Sequence, residues 1–343
     1  MMPGMARGFA ASTPDPLLST GQKPQTMSLD RNAPVFIAGH RGMVGSAIRR
    51  KLEAEGFSSL ITRTRAELDL TEQSAVRAFF EDVRPAYVLL AAAKVGGIHA
   101  NNTYRGDFIR ENLQIQTNVI DQAWRSGVKK LLFLGSSCIY PCEAPQPLRE
   151  DYLLTGPLEP TNEPYAIAKI AGIKMCEAYR QQYGFNAISL MPTNLYGPGD
   201  NFDLENSHML PALIRKFHEG KEAGATSVEV WGTGTPRREM MHVDDLADAC
   251  LYFMDHYDGA DFVNVGLGVD ATITEIAETV RDVVGFKGEI VYDTSRPDGM
   301  RRKLLDTSRA RALGWQAKIS LADGVKDAYR WFLENYRDVT GQG

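Results

Sequence analysis

A short apolar segment that ends in glycine and leads directly into a helical pattern constrains the fold more than any other feature. Residues 34–39, PVFIAG, form a continuous apolar run of the kind typical of a parallel strand covered on both faces. Helical spacing follows over 43–56, where the last residue, Gly56, suits the left-handed position beyond a helix end. Three evenly spaced glycines join the two elements, namely Gly39, Gly42 and Gly45. The segment therefore predicts a strand, a tight turn and a helix.

The same alternation of apolar runs and helical patterns continues along the first half of the chain. The further predicted strands cover 59–65, 86–93, 129–137 and 185–194. A second helix is expected over 71–85, with Thr71 and Gln73 or Ser74 as its capping residues. Strands that alternate with helices form parallel sheets with right-handed crossovers. We therefore predict an α/β protein with a Rossmann-like, doubly wound parallel sheet.

The pattern becomes less regular after about residue 197. Helices are predicted over 208–220 and 273–285, and short strands over 227–232 and 288–293. We expect a Rossmann domain over 34–197, with returns to it near 240–270. Residues 198–343 are then mainly a smaller α/β lobe that binds substrate.

Residues 1–33 are rich in Pro, Ser, Thr and Gly and show no periodicity. They lack the apolar core of roughly 7–15 residues that a secretory signal needs. We interpret them as a disordered tail, or as translated sequence upstream of a start at Met27. The expected location is the cytoplasm.

Composition excludes several classes of function. With 343 residues, 43% of them hydrophobic, the chain can bury a full core, and its net charge of −5 argues against a nucleic-acid partner. No apolar run reaches the roughly 18 residues that span a membrane. Four cysteines are too few and too scattered for a disulfide framework, and no C-x-x-C pair or nearby histidine completes a zinc site. We expect no metal.

The glycine loop predicts a dinucleotide site, because its backbone amides and the following helix N-terminus can meet a pyrophosphate. At the end of the second strand, where an NAD site usually carries a carboxylate, the sequence has Arg63 and Arg65. Guanidinium groups bind a 2′-phosphate, so Arg41 and Arg65 favour NADP, whereas Arg63 could also be a solvated surface residue. The predicted cofactor contacts in this region are Gly39, Arg41, Gly42, Met43, Val44, Gly45, Arg65, Asp69 and Leu70.

A tyrosine and a lysine four residues apart indicate a site for carbonyl chemistry. Tyr165 and Lys169 leave one face of a predicted helix that begins near Pro164. The ammonium is expected to lower the phenol pKa, so that the tyrosine can exchange a proton near neutral pH. Ser136 or Ser137, at the end of the preceding strand, can bond a substrate carbonyl. Together with the glycine loop, this set resembles the extended short-chain dehydrogenase/reductase class.

Longer blocks of sequence resemble one family within that class, the GDP-L-fucose synthases. The blocks are VFIAGHRGMVGSAIRR, AAAKVGGIHANNTY, LGSSCIYP, TNEPYAIAKIAGIK, MPTNLYGPGDNF, NSHMLPALI, WGTGTPRREMMHVDD and RPDGMRRKLLD. The resemblance extends from about residue 34 to the C-terminus. It implies conversion of GDP-4-keto-6-deoxy-D-mannose to GDP-L-fucose by two epimerisations and a reduction with NADPH.

The resemblance gives a role to the cysteine that follows the two serines. A C4 ketone acidifies the hydrogens at C3 and C5, and inversion of each carbon needs a base on one face and an acid on the other. The family's pair matches Cys138 and His208, a thiol and an imidazole whose ordinary pKa values of about 8.5 and 6.5 lie on either side of neutrality. We assign Cys138 as base and His208 as acid, with the direction open. Ser136, Tyr165 and Lys169 complete the predicted catalytic set.

The remaining site residues are implied by the same resemblance. Substrate contacts fall on Lys216, Trp231, Arg238 and Asp298. Arg238 is expected at the diphosphate, Trp231 as a stacking wall and Asp298 at sugar hydroxyls. Further cofactor contacts are Lys169, Asn194, Leu195 and His208. Members of the class pair through two helices, one of them carrying the tyrosine, so a homodimer is expected.

Two alternatives remain. One is an NAD-dependent sugar 4-epimerase or 4,6-dehydratase of the same class, which should not carry Arg63 and Arg65 where a carboxylate belongs. The other is a non-catalytic NADP-binding protein that has kept the fold. Such proteins commonly lose the tyrosine or the lysine, and both are present.

Overall fold

A computed structural model describes residues 28–204, 207–296 and 298–340. The strands are β1 (Val35–Ala38), β2 (Leu60–Ile61), β3 (Tyr87–Leu90), β4 (Lys130–Leu134), β5 (Ala187–Pro192), β6 (Asn194–Tyr196), β7 (Ser227–Trp231), β8 (Arg237–Arg238), β9 (Met240–His242), β10 (Val263–Val265), β11 (Ala271–Thr272), β12 (Glu289–Asp293) and β13 (Arg302–Lys303). The helices are α1 (Met43–Ala54), α2 (Gln73–Val83), α3 (Ile98–Thr103), α4 (Arg105–Arg125), α5 (Glu163–Tyr183), α6 (Met209–Glu222), α7 (Val243–His256), α8 (Ile273–Val284), α9 (Ser308–Ala312), α10 (Leu321–Glu334) and α11 (Tyr336–Thr340).

The central sheet has six strands in the order β10-β5-β4-β3-β1-β2, and all of its pairs are parallel. The chain runs outward from β1 to β2 and then returns to the other side of β1 with β3. This reversal makes a crevice at the carboxyl ends of β1 and β3, the usual ligand position in such sheets. The predicted Rossmann-like fold is confirmed.

Alternating residues of β1 explain why helices cover both faces of the sheet. Val35 and Ile37 are buried in one cluster with residues of α1 and α7, whereas Phe36 packs on the other face against Phe79 and Phe80 of α2. Helices α4 and α5 cover the same face as α2. The first lobe therefore has two apolar layers, one on each side of a continuous sheet.

Two later elements also belong to the central sheet and its cover, since α7 packs against α1 and β10 extends the sheet beside β5. The second lobe is built around the parallel pair β7–β12, with α6, α8 and α10 packed together beside it. Phe217, Ile276 and Phe332 are fully buried there. The three-stranded sheet β11-β8-β13 and the pair β6–β9 complete the topology.

Two local predictions differ from the structure. No side chain caps α2, whose N-cap is Glu72, because the Thr71 hydroxyl donates instead to Asp69 Oδ1 at 2.8 Å. The folded chain also begins earlier than predicted, since Leu29 is buried and its N–H donates to Asp255 Oδ1 at 2.7 Å. Residues 1–27, the rest of the predicted tail, lie outside the described residues. Gly56 follows α1 with φ +81°, as expected.

Across the described ranges, no helix is both long and apolar enough to cross a membrane.

Candidate active site

The β1–α1 loop requires glycine at two of its three glycine positions. Gly39 has φ +88°, and a Cβ there would lie 2.7 Å from the backbone nitrogen of Ala92. A Cβ on Gly45 would lie 2.1 Å from the carbonyl oxygen of Gly39. The loop is therefore closed tightly between the end of β3 and the first turn of α1.

The first turn of α1 leaves its amides open toward the crevice. The N-cap is Gly42, in an extended conformation, and no side chain caps the helix or adds a carboxylate to its first turn. The first N–H groups of a helix have no partner within the helix, and the helix dipole favours an anion beside them. The residues present thus fit a dinucleotide pyrophosphate at Met43 and Val44.

The arginines near this loop have different protein partners. Arg65 forms ion pairs with Asp69 at 3.3 Å and with Glu111 at 3.4 Å. Arg63 lies exposed over the Phe79 ring, 5.6 Å from its centroid. Hydrogen bonds from Thr64 lower the pKa of Glu67, and the charges of Arg63 and Arg41 lower it further. Arg41 and Arg63 thus act on one carboxylate, whereas Arg65 pairs with two others.

The catalytic candidates meet just beyond the end of β4. Ser136 begins a 3₁₀ turn over Ser137–Ile139, and the N–H of Cys138 donates to its Oγ at 3.4 Å. The same hydroxyl is close enough to Tyr165 to affect the phenol pKa. Ser137 is buried at 4% exposure, whereas Ser136 remains partly accessible. Of the two serines, Ser136 is the one whose hydroxyl lies beside Cys138 and Tyr165.

Helix α5 delivers the tyrosine and the lysine to this point. It begins after Asn162 with Pro164 in the first turn, as predicted. The Lys169 ammonium donates to the carbonyl oxygen of Leu134 at 2.8 Å and lies 5.7 Å from the centroid of the Tyr165 ring. Burial lowers the pKa of Lys169 to about 8, and the nearby Cys138 opposes this shift.

The expected lowering of the phenol pKa is wrong for this arrangement. Burial raises the pKa of Tyr165, the neighbouring Cys138 raises it further, and the Ser136 hydroxyl only partly offsets them. The lysine charge is directed at the Leu134 carbonyl rather than at the phenol oxygen. Tyr165 is therefore a protonated phenol at neutral pH, suited to donate a proton.

The thiol and the imidazole have shifts of opposite sign. Burial raises the pKa of Cys138, although the charge of Lys303 and the Ser136 hydroxyl favour its thiolate. His208 immediately precedes α6, and its side chain makes no capping hydrogen bond to the helix. Although the residue is exposed, surrounding protein atoms lower the pKa of its imidazole, and the Lys303 charge lowers that pKa further. At neutral pH the favoured forms are thus the thiol and the neutral imidazole.

Lys303 was missed by the sequence analysis. It lies in β13, paired in register with Arg238 of β8, and its ammonium acts on both Cys138 and His208. Burial lowers its own pKa. The only local sign of this lysine in the sequence was the basic run at 301–303. Such a run has the same sequence pattern whether its side chains face solvent or a binding site.

The four predicted substrate residues lie on β7, β8, α6 and the loop after β12. Lys216 donates to the carbonyl oxygen of Glu229 at 3.2 Å, and its ammonium is 4.9 Å from the Trp231 ring centroid. Arg238 reaches the carbonyl oxygen of Asp298 at 3.5 Å. The Asp298 carboxylate accepts both the N–H and the hydroxyl of Thr233, at 2.7 and 2.9 Å. In the substrate-free protein this aspartate therefore fastens the loop.

The predicted contacts after β5 are held by the backbone of Glu239, a residue that the sequence analysis also missed. Asn194 donates from Nδ2 to the carbonyl oxygen of Glu239 at 3.0 Å, and Leu195 pairs with Met241. The Glu239 side chain is fully buried and accepts the N–H of Gly268 at 2.7 Å. Burial raises its pKa, and backbone N–H groups oppose that shift. Glu239 thus fixes the wall that carries Asn194.

One group outside this crevice has the composition of a metal site. Ligand atoms of His242, Asp244 and Asp327 lie within 4.8 Å of one another. Asp244 pairs with Arg50 at 2.7 Å, and Asp327 pairs with Arg330 and faces His242 Nε2 at 3.4 Å. Arginines already compensate both carboxylates, so the group is an ion-pair network.

Comparison with known proteins extends the match over most of the chain. The model of the NAD dependent epimerase/dehydratase family matches residues 35–266. The chain is 62% identical over 315 residues to GDP-L-fucose synthase 1 of Arabidopsis thaliana, covering 92% of this chain and 97% of that protein. It is 57% identical over 310 residues to GDP-L-fucose synthase of Escherichia coli K12, covering 88% and 97%. A GDP-L-fucose synthetase of Naegleria fowleri, solved bound to NADP, superposes with a TM-score of 0.84 at 28% identity, covering 91% and 98%.

Proposed function

We propose how the residues of this chain act, starting from its family. The chain belongs to the NAD dependent epimerase/dehydratase family and, within it, to the GDP-L-fucose synthases. It converts GDP-4-keto-6-deoxy-D-mannose to GDP-L-fucose by epimerisation at C3 and C5 and reduction at C4 with NADPH. The observation that carries the assignment of roles is the position of Ser136, whose hydroxyl is close to both Cys138 and Tyr165.

Ser136 and Tyr165 hold the C4 oxygen of the substrate. Two hydroxyl donors directed at one oxygen stabilise the negative charge that develops there when a neighbouring carbon loses a proton. The same donors stabilise the oxygen during reduction. Because the Cys138 thiol lies beside Ser136, a sugar held in this way presents C3 or C5 to the sulfur.

Cys138 removes a proton from one face of each carbon, and His208 returns a proton to the other face. The substrate-free protein favours the thiol and the neutral imidazole, so this direction requires the proton to leave sulfur and His208 to gain one. The Lys303 ammonium, which acts on both groups, favours the thiolate. Each epimerisation then consumes no net proton.

Bound NADPH supplies the electron pair and the hydrogen that reduce C4. Tyr165 donates the proton that completes the C4 hydroxyl, consistent with a phenol that burial keeps protonated. Lys169, fixed by the Leu134 carbonyl, holds its ammonium beside the Tyr165 ring. The open first turn of α1 holds the cofactor pyrophosphate, and Arg41 with Arg63 or Arg65 holds its 2′-phosphate.

The second lobe holds the nucleotide. Arg238 meets the diphosphate, Lys216 adds a second cation, and Trp231, half exposed, offers an aromatic face. Asp298 keeps its loop in place through Thr233 and can reach sugar hydroxyls only by giving up one of those bonds.

The chain forms a homodimer through α4 and α5. Ile167 and Tyr183 of α5 are 41% and 43% exposed, and Trp124 of α4 stacks on Tyr183 with centroids 4.1 Å apart. An aromatic and aliphatic helix face of this kind suits a two-fold helix interface.

A cytoplasmic location is supported by the four cysteines, all of which are free thiols.

Turnover of the named substrate tests the activity. Incubation of the protein with GDP-4-keto-6-deoxy-D-mannose should consume NADPH, followed by its absorbance, and yield GDP-L-fucose by NMR. NADH should be used less efficiently. A product that retains the D-manno configuration at C3 and C5, or NADPH absorbance that stays constant, would contradict the proposed function.

A further inference from the structure

Two cations share one exposed aromatic ring in the second lobe, and only one of them was predicted as a substrate contact. The guanidinium carbon of Arg296 lies 4.8 Å from the centroid of Trp231, and the Lys216 ammonium lies 4.9 Å from it. Trp231 is 51% exposed, so part of the indole is open to solvent. The arginine therefore stands directly at the aromatic surface on which a nucleotide base can stack.

The loop that carries Arg296 is fastened to the turn after β7 at two points. Before the arginine, the carbonyl oxygen of Asp293 accepts the N–H of Gly232 at 2.9 Å. After it, Asp298 accepts the N–H and hydroxyl of Thr233. Gly232 has φ +85°, and a Cβ on it would lie 2.4 Å from Asp298 Oδ1, so the turn and the loop fit closely. This attachment holds Arg296 near Trp231, unlike an arginine on a free surface loop.

The charge of Arg296 is only weakly compensated by protein groups. Its ion pair with Asp293 measures 3.7 Å, and that carboxylate also accepts the Ser295 hydroxyl at 2.6 Å. Burial lowers the pKa of the neighbouring Lys216, Glu229 raises it, and the charge of Arg296 lowers it further. The positive charges of Arg296 and Lys216 repel each other beside one indole ring. A ligand edge that carries hydrogen-bond acceptors would reduce this repulsion.

We propose that Arg296 recognises the guanine base of the substrate, an inference that rests on the proposed function. Guanine stacks on Trp231, and the guanidinium, displaced from the ring face, donates to O6 and N7 of the base. Arginine makes this bidentate contact readily because both guanine atoms are acceptors. Adenine carries an amino donor in place of O6, so the same guanidinium would repel it.

The experiment compares binding of GDP, IDP and ADP by calorimetry to the full chain and to an Arg296→Met variant. The parent should bind GDP and IDP similarly, since both carry O6 and N7, and ADP more weakly. Arg296→Met should lose about tenfold in affinity for GDP and for IDP, with little change for ADP. Trp231→Leu should weaken all three, because stacking does not distinguish the bases.

Arg281→Met, a change of a partly exposed arginine on α8 in the same lobe, is the matched control and should leave all three affinities unchanged. An equal loss for GDP and ADP in Arg296→Met would place the guanidinium at the diphosphate and overturn the proposal, as would unchanged affinities. Binding of GDP needs no turnover. Failure of the proposed function, tested by NADPH consumption in the parent, is therefore distinguishable from failure of this inference.

Discussion

Replacing Gly45 with alanine should weaken NADPH binding at least tenfold while the rest of the fold persists. The new methyl would lie 2.1 Å from the carbonyl oxygen and 2.6 Å from the carbonyl carbon of Gly39, whereas ordinary contacts begin near 3.4 Å. Both are backbone atoms, so no side-chain rotation relieves the overlap. Because the Gly39 oxygen also accepts the N–H of Gly42 at 3.0 Å, a shift of this carbonyl disturbs the turn that aims the α1 amides.

The magnitude follows from the hydrogen bonds that the turn provides. Bonds from backbone N–H groups to a charged oxygen contribute about 1.5–3 kcal/mol each, so loss of one or two corresponds to roughly 10- to 10⁴-fold in affinity. The overlap itself should cost about 1–3 kcal/mol of folding free energy. Fluorescence titration with NADPH measures the first effect, and thermal unfolding without cofactor measures the second.

Two other glycines provide controls. A Cβ on Gly106 of α4 meets no atom within 4 Å, so Gly106→Ala should leave both affinity and stability unchanged or slightly improved. Gly42→Ala meets only the Gly39 oxygen, at 3.5 Å, and its φ of −73° is ordinary, so stability should persist. If Gly45→Ala binds NADPH within about threefold of the parent, the role given to the loop is refuted.

Three further changes test the site and the assembly. Tyr165→Phe should slow NADPH oxidation by roughly 10²- to 10⁴-fold in stopped-flow measurements and slow solvent deuterium entry less, because Ser136 still holds the C4 oxygen; NADPH oxidation slowed no more than deuterium entry would reject its role as proton donor. Lys303→Met removes a charge that lowers the pKa of both Cys138 and His208, so the pH profile of deuterium incorporation should move to higher pH; an unmoved profile would show that Lys303 does not act on the pair. Ile167→Asp should convert a dimer to a monomer by light scattering, and an unchanged mass would exclude α5 from the interface.

The features that the sequence predicts well are local. The glycine spacing fixes the β1–α1 turn because Gly42 and Gly45 both contact Gly39, and the four-residue separation of Tyr165 and Lys169 is set by helix geometry. The parallel, doubly wound character of the central sheet follows from alternation of strand and helix together with right-handed crossovers. These arguments do not require knowledge of the tertiary packing between distant segments.

Features that depend on distant segments were missed. Lys303 reaches the thiol because β13 pairs with β8, some sixty residues earlier in the chain, and Arg296 reaches Trp231 because β12 lies beside β7. The phenol pKa was predicted in the wrong direction because burial, which only tertiary structure reveals, exceeds the effect of a lysine directed elsewhere. The predicted capping of α2 was wrong because the Thr71 hydroxyl donates a hydrogen bond to Asp69 instead.

Solvent deuterium incorporation, measured without NADPH, tests the central role of the thiol most directly. In D₂O, the parent should introduce deuterium at C3 and C5 of GDP-4-keto-6-deoxy-D-mannose, resolved by NMR. Cys138→Ser should slow this exchange by roughly 100-fold or more at both carbons with NADPH affinity unchanged, while Cys142→Ser, at a half-buried cysteine four residues away, should leave it intact. Exchange in Cys138→Ser as fast as in the parent would contradict the account.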